Sequence, residues 1–252
     1  MSRKCENVTQ HYQSYLTAFV IILIGGFVWV MVSPQNEFAW LVLQTGLFGC
    51  FTIIVAVFHE LGHILAGLMT KAKIFQITIG LGRTLYSHDF WGIEFKFCSI
   101  PICGFTIIGF SNRKFYRMRS FLMTLGGPLA NCFLILAAMI LLFHISSSWL
   151  LALIRPFLAA NVFALLSNSL LPRKVNFAGT NMSSDGLMLL TIPFMSKLKI
   201  DQEIEACFVW QGYSFHKRGC IDDARRSYEA GLTLFPNSAA IQNEMRRLAV
   251  NQ

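Results

Sequence analysis

The sequence has few charged residues. Asp, Glu, Lys and Arg make up 13% of its 252 residues, whereas 54% are hydrophobic and the mean hydropathy is +0.53. Soluble domains usually carry about 25% charged residues, so this composition excludes an ordinary soluble protein. It indicates a polytopic membrane protein of the mainly α-helical class.

Four apolar stretches are long enough to cross about 30 Å of hydrocarbon as helices. They are residues 16–33, 39–69, 121–145 and 150–172. The first stretch is not followed by a small-x-small cleavage site before Pro34. We therefore interpret it as a membrane anchor rather than a secretory signal, and we expect about four spans.

Two of the links between these stretches lack lysine and arginine, namely residues 34–38 and 144–149. The basic residues instead crowd the connection between the second and third stretches: Lys71, Lys73, Arg83, Lys96, Arg113, Lys114, Arg117 and Arg119. The positive-inside rule then places this connection and both termini in the cytoplasm. The net charge of +8 reflects topology and contact with anionic lipid, and we expect no nucleic-acid partner.

The seven cysteines lack the spacing of a metal site. Most lie in the apolar stretches or on the predicted cytoplasmic side, where thiols stay reduced. We therefore expect no disulfide framework.

Residues 47–69 carry no charged side chain outside the motif His59-Glu60-Leu61-Gly62-His63. Positions i and i+4 of an α-helix lie on one face, so His59 and His63 can bind one metal ion, with Glu60 beside it as general base. A pattern this short also arises by chance. An ionisable cluster inside a membrane span is costly, however, which favours a functional zinc site.

A catalytic zinc ion needs a third protein ligand. The candidates on the predicted cytoplasmic side are Asp185, Glu94, His88 and Asp89. Asp185 is favoured because it follows the fourth stretch and precedes Gly186 and an apolar segment, 187–195, that is too short to span. The alternation around Glu94 predicts a solvated strand position, and His88 falls at a predicted turn.

Residues 74–110 have a different periodicity from the apolar stretches. Apolar residues alternate around Ile77 and around Phe95, and residues 89–92 supply turn formers between them. This pattern predicts a small antiparallel sheet at the cytoplasmic membrane face.

Residues 173–184 form a polar segment that predicts a loop, and the third and fourth stretches contain three asparagines, Asn131, Asn161 and Asn168. An amide in hydrocarbon needs partners, so each asparagine either hydrogen-bonds a neighbouring helix or belongs to a site.

The composition beyond Lys199 is typical of soluble proteins. This change divides the chain into a membrane domain, 1–200, and a cytoplasmic module, 201–252. Seven residues follow the spacing of one tetratricopeptide repeat over 205–238: Gly212, Phe215, Gly219, Ala224, Tyr228, Leu232 and Pro236. A third helix, 239–250, would cap it. A single repeat buries too little apolar surface to fold alone. We therefore expect this module to dock on the membrane domain, a second copy or a cytoplasmic partner.

Several motifs in order resemble the site-2 protease family of intramembrane zinc metalloproteases. They are the His-Glu-x-x-His helix, Gly127-Pro128-Leu129-Ala130-Asn131, Asn168 through Pro172 leading to Ser184-Asp185-Gly186, and Pro101-Ile102-Cys103-Gly104-Phe105. The resemblance implies zinc bound by His59, His63 and Asp185, Glu60 as base, and Asn131 and Asn168 lining the site near the substrate or the developing oxyanion. It also implies a membrane-spanning protein substrate.

The chain departs from the family pattern in three places. Asn168 precedes Pro172 by four positions where three is usual, the loop before Asp185 is longer, and Cys103 replaces a glycine.

Other functions fit parts of the sequence. Membrane gluzincins take a glutamate as third ligand from a later helix, but the third and fourth stretches contain no glutamate. An adaptor that presents the tetratricopeptide hairpin, with a vestigial metal site, is a non-enzymatic alternative. A transporter would require paired repeats, which the sequence lacks.

Overall fold

The computed structural model describes residues 2–172, 174–177 and 180–250. Its elements, in chain order, are α1 (Ser2–Val32), α2 (Glu37–Met69), β1 (Lys73–Phe90), β2 (Ile93–Gly109), α3 (Tyr116–His144), α4 (Ser148–Ala164) with a π-helical continuation (Leu165–Leu170), β3 (Lys174–Phe177), β4 (Thr180–Ser183), α5 (Asp185–Thr191) with a 3₁₀ turn (Ile192–Phe194), α6 (Lys197–Lys217), α7 (Ile221–Leu234) and α8 (Ala239–Val250). The fold is mainly helical, as predicted.

Among the described residues, three helical segments are long and apolar enough to cross a membrane. They are Glu37–Met69, Tyr116–His144 and Ser148–Leu170. The described apolar part of α1, Thr17–Val32, is shorter, so the fourth span stays a prediction.

Glycines allow α2 to approach helices on both sides. A Cβ atom on Gly46 would overlap the backbone of Leu23 on α1, and one on Gly62 would overlap the carbonyl oxygen of Gly126 on α3. Contacts this close require residues without side chains. Gly62 thus lies where the helix that carries His59 and His63 meets α3.

The predicted sheet is confirmed as a hairpin of two long strands, which turns at Trp91 and Gly92 with positive φ angles. Both strands fold back on themselves at register shifts. Residues 84–90 pair with 93–98, residues 73–79 pair with 104–109, and residues 76–79 also pair with 94–97 on their other side. Residues 104–109 form one edge of this sheet and lie beside α2.

The polar segment before Asp185 is more ordered than predicted. It contains a short antiparallel hairpin, β3 and β4, in which Asn176 pairs with Asn181. The strand pattern is too short to predict it, because Val175 and Phe177 alternate with polar residues over only four positions and the facing strand contains one apolar residue, Met182. The hairpin lies between the π-helical turn and α5.

The three C-terminal helices pack on one another and on the membrane-proximal part of the chain. Gly219 adopts a left-handed φ of 77° between α6 and α7, and a Cβ atom on Gly212 would overlap the ring of Tyr228. The shared core of these helices also includes Phe110 and Tyr116. Helix α6 starts at residue 197 and runs through the predicted domain boundary at 200.

A charged cluster joins α6 to the sheet at Glu94, which is 7% exposed. One carboxylate oxygen accepts hydrogen bonds from Lys217 and from Ser87 at 3.0 Å, and Lys96 Nζ lies 3.1 Å from the other. Burial alone would raise the pKa of Glu94, but these hydrogen bonds outweigh it and lower the pKa below its ordinary value of 4.5. The ionised carboxylate of Glu94 therefore links the C-terminal helices to the sheet through its ion pair with Lys217.

Replacing Glu94 with Gln is expected to destabilise the protein at neutral pH by about 1–3 kcal/mol, since two lysines lose an anionic partner. A carboxyl group whose pKa is lowered by folding stabilises the protein above its unfolded pKa, and this contribution is lost as the pH falls through the folded value. The difference in thermal unfolding between parent and variant should therefore shrink below pH 4.5. Glu203→Gln, at an exposed i,i+4 pair with Lys199, serves as control and should change stability by less than about 0.5 kcal/mol. A pH-independent difference for Glu94→Gln would contradict this.

Candidate metal centre

The first part of the site lies on one face of α2. His59 and Glu60 are 3% and 5% exposed, and the imidazoles of His59 and His63, one turn apart, meet edge to face at an interplanar angle of 87° with their Nε2 atoms 3.2 Å from each other. The i,i+4 spacing brings these rings together whatever the rest of the chain does. The sequence interpretation of the motif therefore describes the local geometry well.

The tertiary fold brings Asp185 to these rings. Its Oδ2 lies 2.8 Å from His59 Nε2, and its Oδ1 lies 3.5 Å from His63 Nε2. Asp185 is the first residue of α5, where the Ser184 side chain caps the helix by accepting from the N–H of Leu187. A Cβ atom on Gly186 would overlap the carbonyl oxygen of Ser169, so this close packing sets the position of the carboxylate.

The three side chains form a donor set suited to zinc. Their ligand atoms all lie within 4.8 Å of one another. In a tetrahedral zinc site with ligands at about 2.0–2.1 Å, neighbouring donor atoms are about 3.3–3.4 Å apart. The two Nε2 atoms are 3.2 Å apart, and each lies close to one carboxylate oxygen of Asp185, His59 Nε2 at 2.8 Å from Oδ2 and His63 Nε2 at 3.5 Å from Oδ1, so these separations are near this value. Two imidazoles and one carboxylate leave one position free, which is the arrangement of catalytic rather than structural zinc.

Helix α3 orients the ring of His63. His63 Nδ1 lies 3.0 Å from the carbonyl oxygen of Met123, so Nδ1 carries the proton and Nε2 keeps its lone pair for a metal. The N–H of Gly127 also approaches Nδ1, at 3.4 Å, but the shorter contact determines the tautomer. A Cβ atom on Gly127 would overlap the rings of both histidines. Gly127 thus lets α3 approach the candidate metal ligands.

Strand β2 supplies a partner for Glu60 that the sequence did not predict. Thr106 Oγ1 donates a 2.7 Å hydrogen bond to Glu60 Oε2, and a Cβ atom on Gly104 would lie 2.7 Å from Glu60 Cγ. The bond joins residues 46 positions apart. The sequence signal that could have indicated this contact is the adjoining element Pro101 to Phe105. Its resemblance to a motif of the site-2 protease family implies that the strand lies near the site.

The two predicted asparagines differ in position. Asn131 is fully buried one turn after Gly127, and neither of its amide atoms has a hydrogen-bond partner among the described residues. Asn168 is half-buried in the π-helical turn, where the N–H of Leu171 bonds the carbonyl of Leu166. A π turn contains one residue more than an α turn, which accounts for the four-residue spacing to Pro172. Ser169, at the usual spacing, is 9% exposed.

The other candidates for the third ligand lie elsewhere. Glu94 is engaged by lysines, Asp89 accepts the N–H of Gly92 in the hairpin turn, and His88 stacks with Tyr86.

Comparison with known proteins agrees with this geometry. Residues 47–240 match the model of a protein family that is described as Peptidase family M50. A 52-residue part of the chain is 33% identical to a protein of Treponema pallidum (strain Nichols) named "Putative zinc metalloprotease". That match covers 21% of this chain and 12% of the relative. The family match spans most of the chain and includes all the residues of the candidate metal centre, so the chain belongs to peptidase family M50, the site-2 protease family of membrane zinc metalloproteases.

Proposed function

We propose that this protein is an intramembrane zinc metalloendopeptidase, which hydrolyses peptide bonds within or near the spans of membrane-anchored proteins in regulated intramembrane proteolysis. The observation that carries the proposal is the meeting of His59, His63 and Asp185 beside Glu60, on a helix apolar enough to cross a membrane. Membrane-buried ionisable groups of this kind have a high cost and indicate function.

Each residue then has a defined role. His59, His63 and Asp185 would hold the metal, and zinc, when bound, would polarise a carbonyl group and acidify water. Glu60 takes a proton from the attacking water and gives it to the leaving amine. Asn131, with its unpaired buried amide, and Asn168 would hydrogen-bond the substrate or the developing oxyanion.

Thr106 would act as a positioning residue for Glu60. Its hydroxyl holds one carboxylate oxygen, which leaves the other to face the reacting water. The rigid strand beneath it limits the rotamers of Glu60, because Gly104 lies directly against the glutamate side chain.

Replacing Thr106 with Val, which removes the hydroxyl at nearly constant volume, is expected to lower kcat by about tenfold with little change in KM. The magnitude corresponds to about 1.4 kcal/mol, close to the lower end of the range of about 1.5–3 kcal/mol for a hydrogen bond to a charged group. Thr106→Ser should restore most of the activity, and zinc content should remain at the parent level in both. Equal kcat for the Val and Ser variants would contradict the positioning role.

A substrate can reach Glu60 along the sheet edge. A helical substrate shields its own carbonyl groups, so a segment of it must unwind before attack. Residues 104–109 pair with β1 on one side, and the described sheet has no third strand on the other. We propose that the unwound substrate segment adds to this edge by main-chain hydrogen bonds.

The proposal also includes a role for the C-terminal helices and a membrane topology. Helices α6 to α8 would form a tetratricopeptide-like module for a cytoplasmic partner or for self-association. With α1 as a fourth span, both termini lie in the cytoplasm, in accordance with the distribution of lysine and arginine.

Comparative membrane proteomics of cells that express the parent or the Glu60→Gln variant tests this function. Truncated membrane proteins should appear only with the parent, and their intact forms should accumulate with the variant. Identical proteomes, with both proteins present at equal levels, would overturn the protease assignment.

A further inference from the structure

We infer that a cleft between the start of α3 and the start of α6 binds the headgroup of an anionic phospholipid. The cleft has a volume of about 670 Å³, within the range of about 300–1,000 Å³ typical of small-molecule sites. It is separate from the candidate metal centre, and it serves a function beyond proteolysis. Its lining includes three cations, Arg113, Arg117 and Lys197, and one anion, Asp201.

The charges of this cleft do not cancel. Asp201 is engaged by Arg113, whose Nε lies 2.6 Å from its Oδ1. Arg117 donates from Nε and Nη2 to the carbonyl oxygen of Met195, at 3.1 and 2.7 Å, which orients the guanidinium without neutralising it. Lys197 is exposed and forms no ion pair with the described residues. Two positive charges therefore remain for a ligand, so the cleft matches an anion.

The surroundings of the cleft place it at the membrane surface. Four large apolar side chains in this region are more than half exposed: Phe115 (65%) and Met118 (57%) line the cleft, and Phe194 (86%) and Leu198 (70%) lie within three residues of the lining residue Lys197 in the chain. The apolar helix α3 begins here, and the polar helix α6 leads away from it. A large exposed apolar patch of this kind marks contact with a membrane or a partner.

A lipid meets both requirements at once. Its phosphate and anionic headgroup can pair with Arg117 and Lys197, while its glycerol and acyl region cover the four apolar side chains. The headgroup of a zwitterionic lipid would bring its own cation close to Arg117 and Lys197, so its binding would be weaker. Basic pockets between membrane helices on the cytoplasmic side are suited to such headgroups, and a free phosphate ion would leave the apolar rim uncovered.

Titration calorimetry of the purified full-length protein in a neutral detergent tests this inference. The probes are short-chain phosphatidylglycerol, phosphatidylcholine of the same chain length, and inorganic phosphate. We expect saturable binding of about one phosphatidylglycerol per chain and at least about tenfold weaker binding of the other two. Phosphate binding as tight as that of phosphatidylglycerol would overturn the assignment to a lipid.

Variants of the cleft distinguish lipid binding at a defined site from lipid attraction by diffuse surface charge. The double change Arg117→Gln with Lys197→Gln should weaken phosphatidylglycerol binding by roughly thirtyfold, given the stabilisation that each cation contributes near anionic lipid. Lys199→Gln removes the same charge from the same helix outside the cleft, and it should bind within about threefold of the parent. Equal losses in the two variants, or no loss in the first, would overturn the proposal.

A single substitution tests the site independently of whether the double variant folds. Lys197 has no partner among the described side chains, so Lys197→Glu should keep the thermal unfolding temperature of the parent in neutral detergent. It should also weaken phosphatidylglycerol binding more than it weakens phosphatidylcholine binding. Parent-like affinity in this folded variant would contradict the site, whatever the double variant does.

Discussion

Replacing Glu60 with Gln is expected to reduce turnover of a membrane-embedded substrate by about 10²–10⁴-fold while zinc remains bound. Glutamine keeps the size of the side chain and can still accept from Thr106 Oγ1, now 2.7 Å from Glu60 Oε2, but it cannot take a proton from water at neutral pH. General base catalysis contributes about this factor to enzymatic rates. The measurement is cleavage of a substrate identified by membrane proteomics, with zinc content determined on the same preparation.

The control for Glu60→Gln is Glu94→Gln, which alters a buried carboxylate on the sheet rather than at the metal centre. It should retain turnover within a few-fold if assayed where the protein is fully folded. Residual activity of Glu60→Gln close to the parent, with zinc present, would remove Glu60 from the proposed mechanism. Loss of zinc together with activity would instead assign Glu60 a role in assembling the centre.

Replacing Asp185 with Asn is expected to weaken zinc binding by more than about 100-fold. The amide keeps the shape of the side chain but loses the charge that faces His59 and His63. Disturbing the partners of metal ligands already costs about 10–100-fold in affinity, and the loss of a ligand should exceed that. Competition with a chromophoric chelator measures the affinity directly.

The same zinc measurement on Glu94→Gln distinguishes Asp185 from Glu94, one of the other carboxylates that the sequence offered as third ligand. We expect parent-like affinity, because Glu94 pairs with Lys217 and Lys96 instead of the histidines. Reduced zinc affinity in Glu94→Gln with parent-like affinity in Asp185→Asn would exchange their roles.

These predictions depend to different extents on sequence and on tertiary structure. The pair His59 and His63 follows from helical spacing alone, since four residues return a side chain to the same face. The hairpin of β1 and β2 was also foreseeable, because alternation and turn residues are local signals. The alternation in residues 174–177, by contrast, is too short to have predicted the hairpin of β3 and β4.

Asn168 shows where spacing alone is ambiguous. The four-residue separation of Asn168 and Pro172 resembles a misplaced motif in the sequence. The structure accommodates it as a π turn, over Leu165–Leu170, which inserts one residue without ending the helix. A π turn depends on neighbouring packing, such as that of Gly186 on Ser169, and has no reliable local signature.

The amino-acid sequence by itself determined the membrane character of this protein, the helix that pairs His59 with His63 and its family motifs, since all of these depend on composition or on contacts within one or two turns. The tertiary structure decided which carboxylate reaches the histidines and which hydroxyl holds Glu60. Asp185 meets His59 across 126 residues and Thr106 meets Glu60 across 46. Contacts at such separations depend on close helix packing at glycines and on strand register, which are properties of the whole fold rather than of any segment.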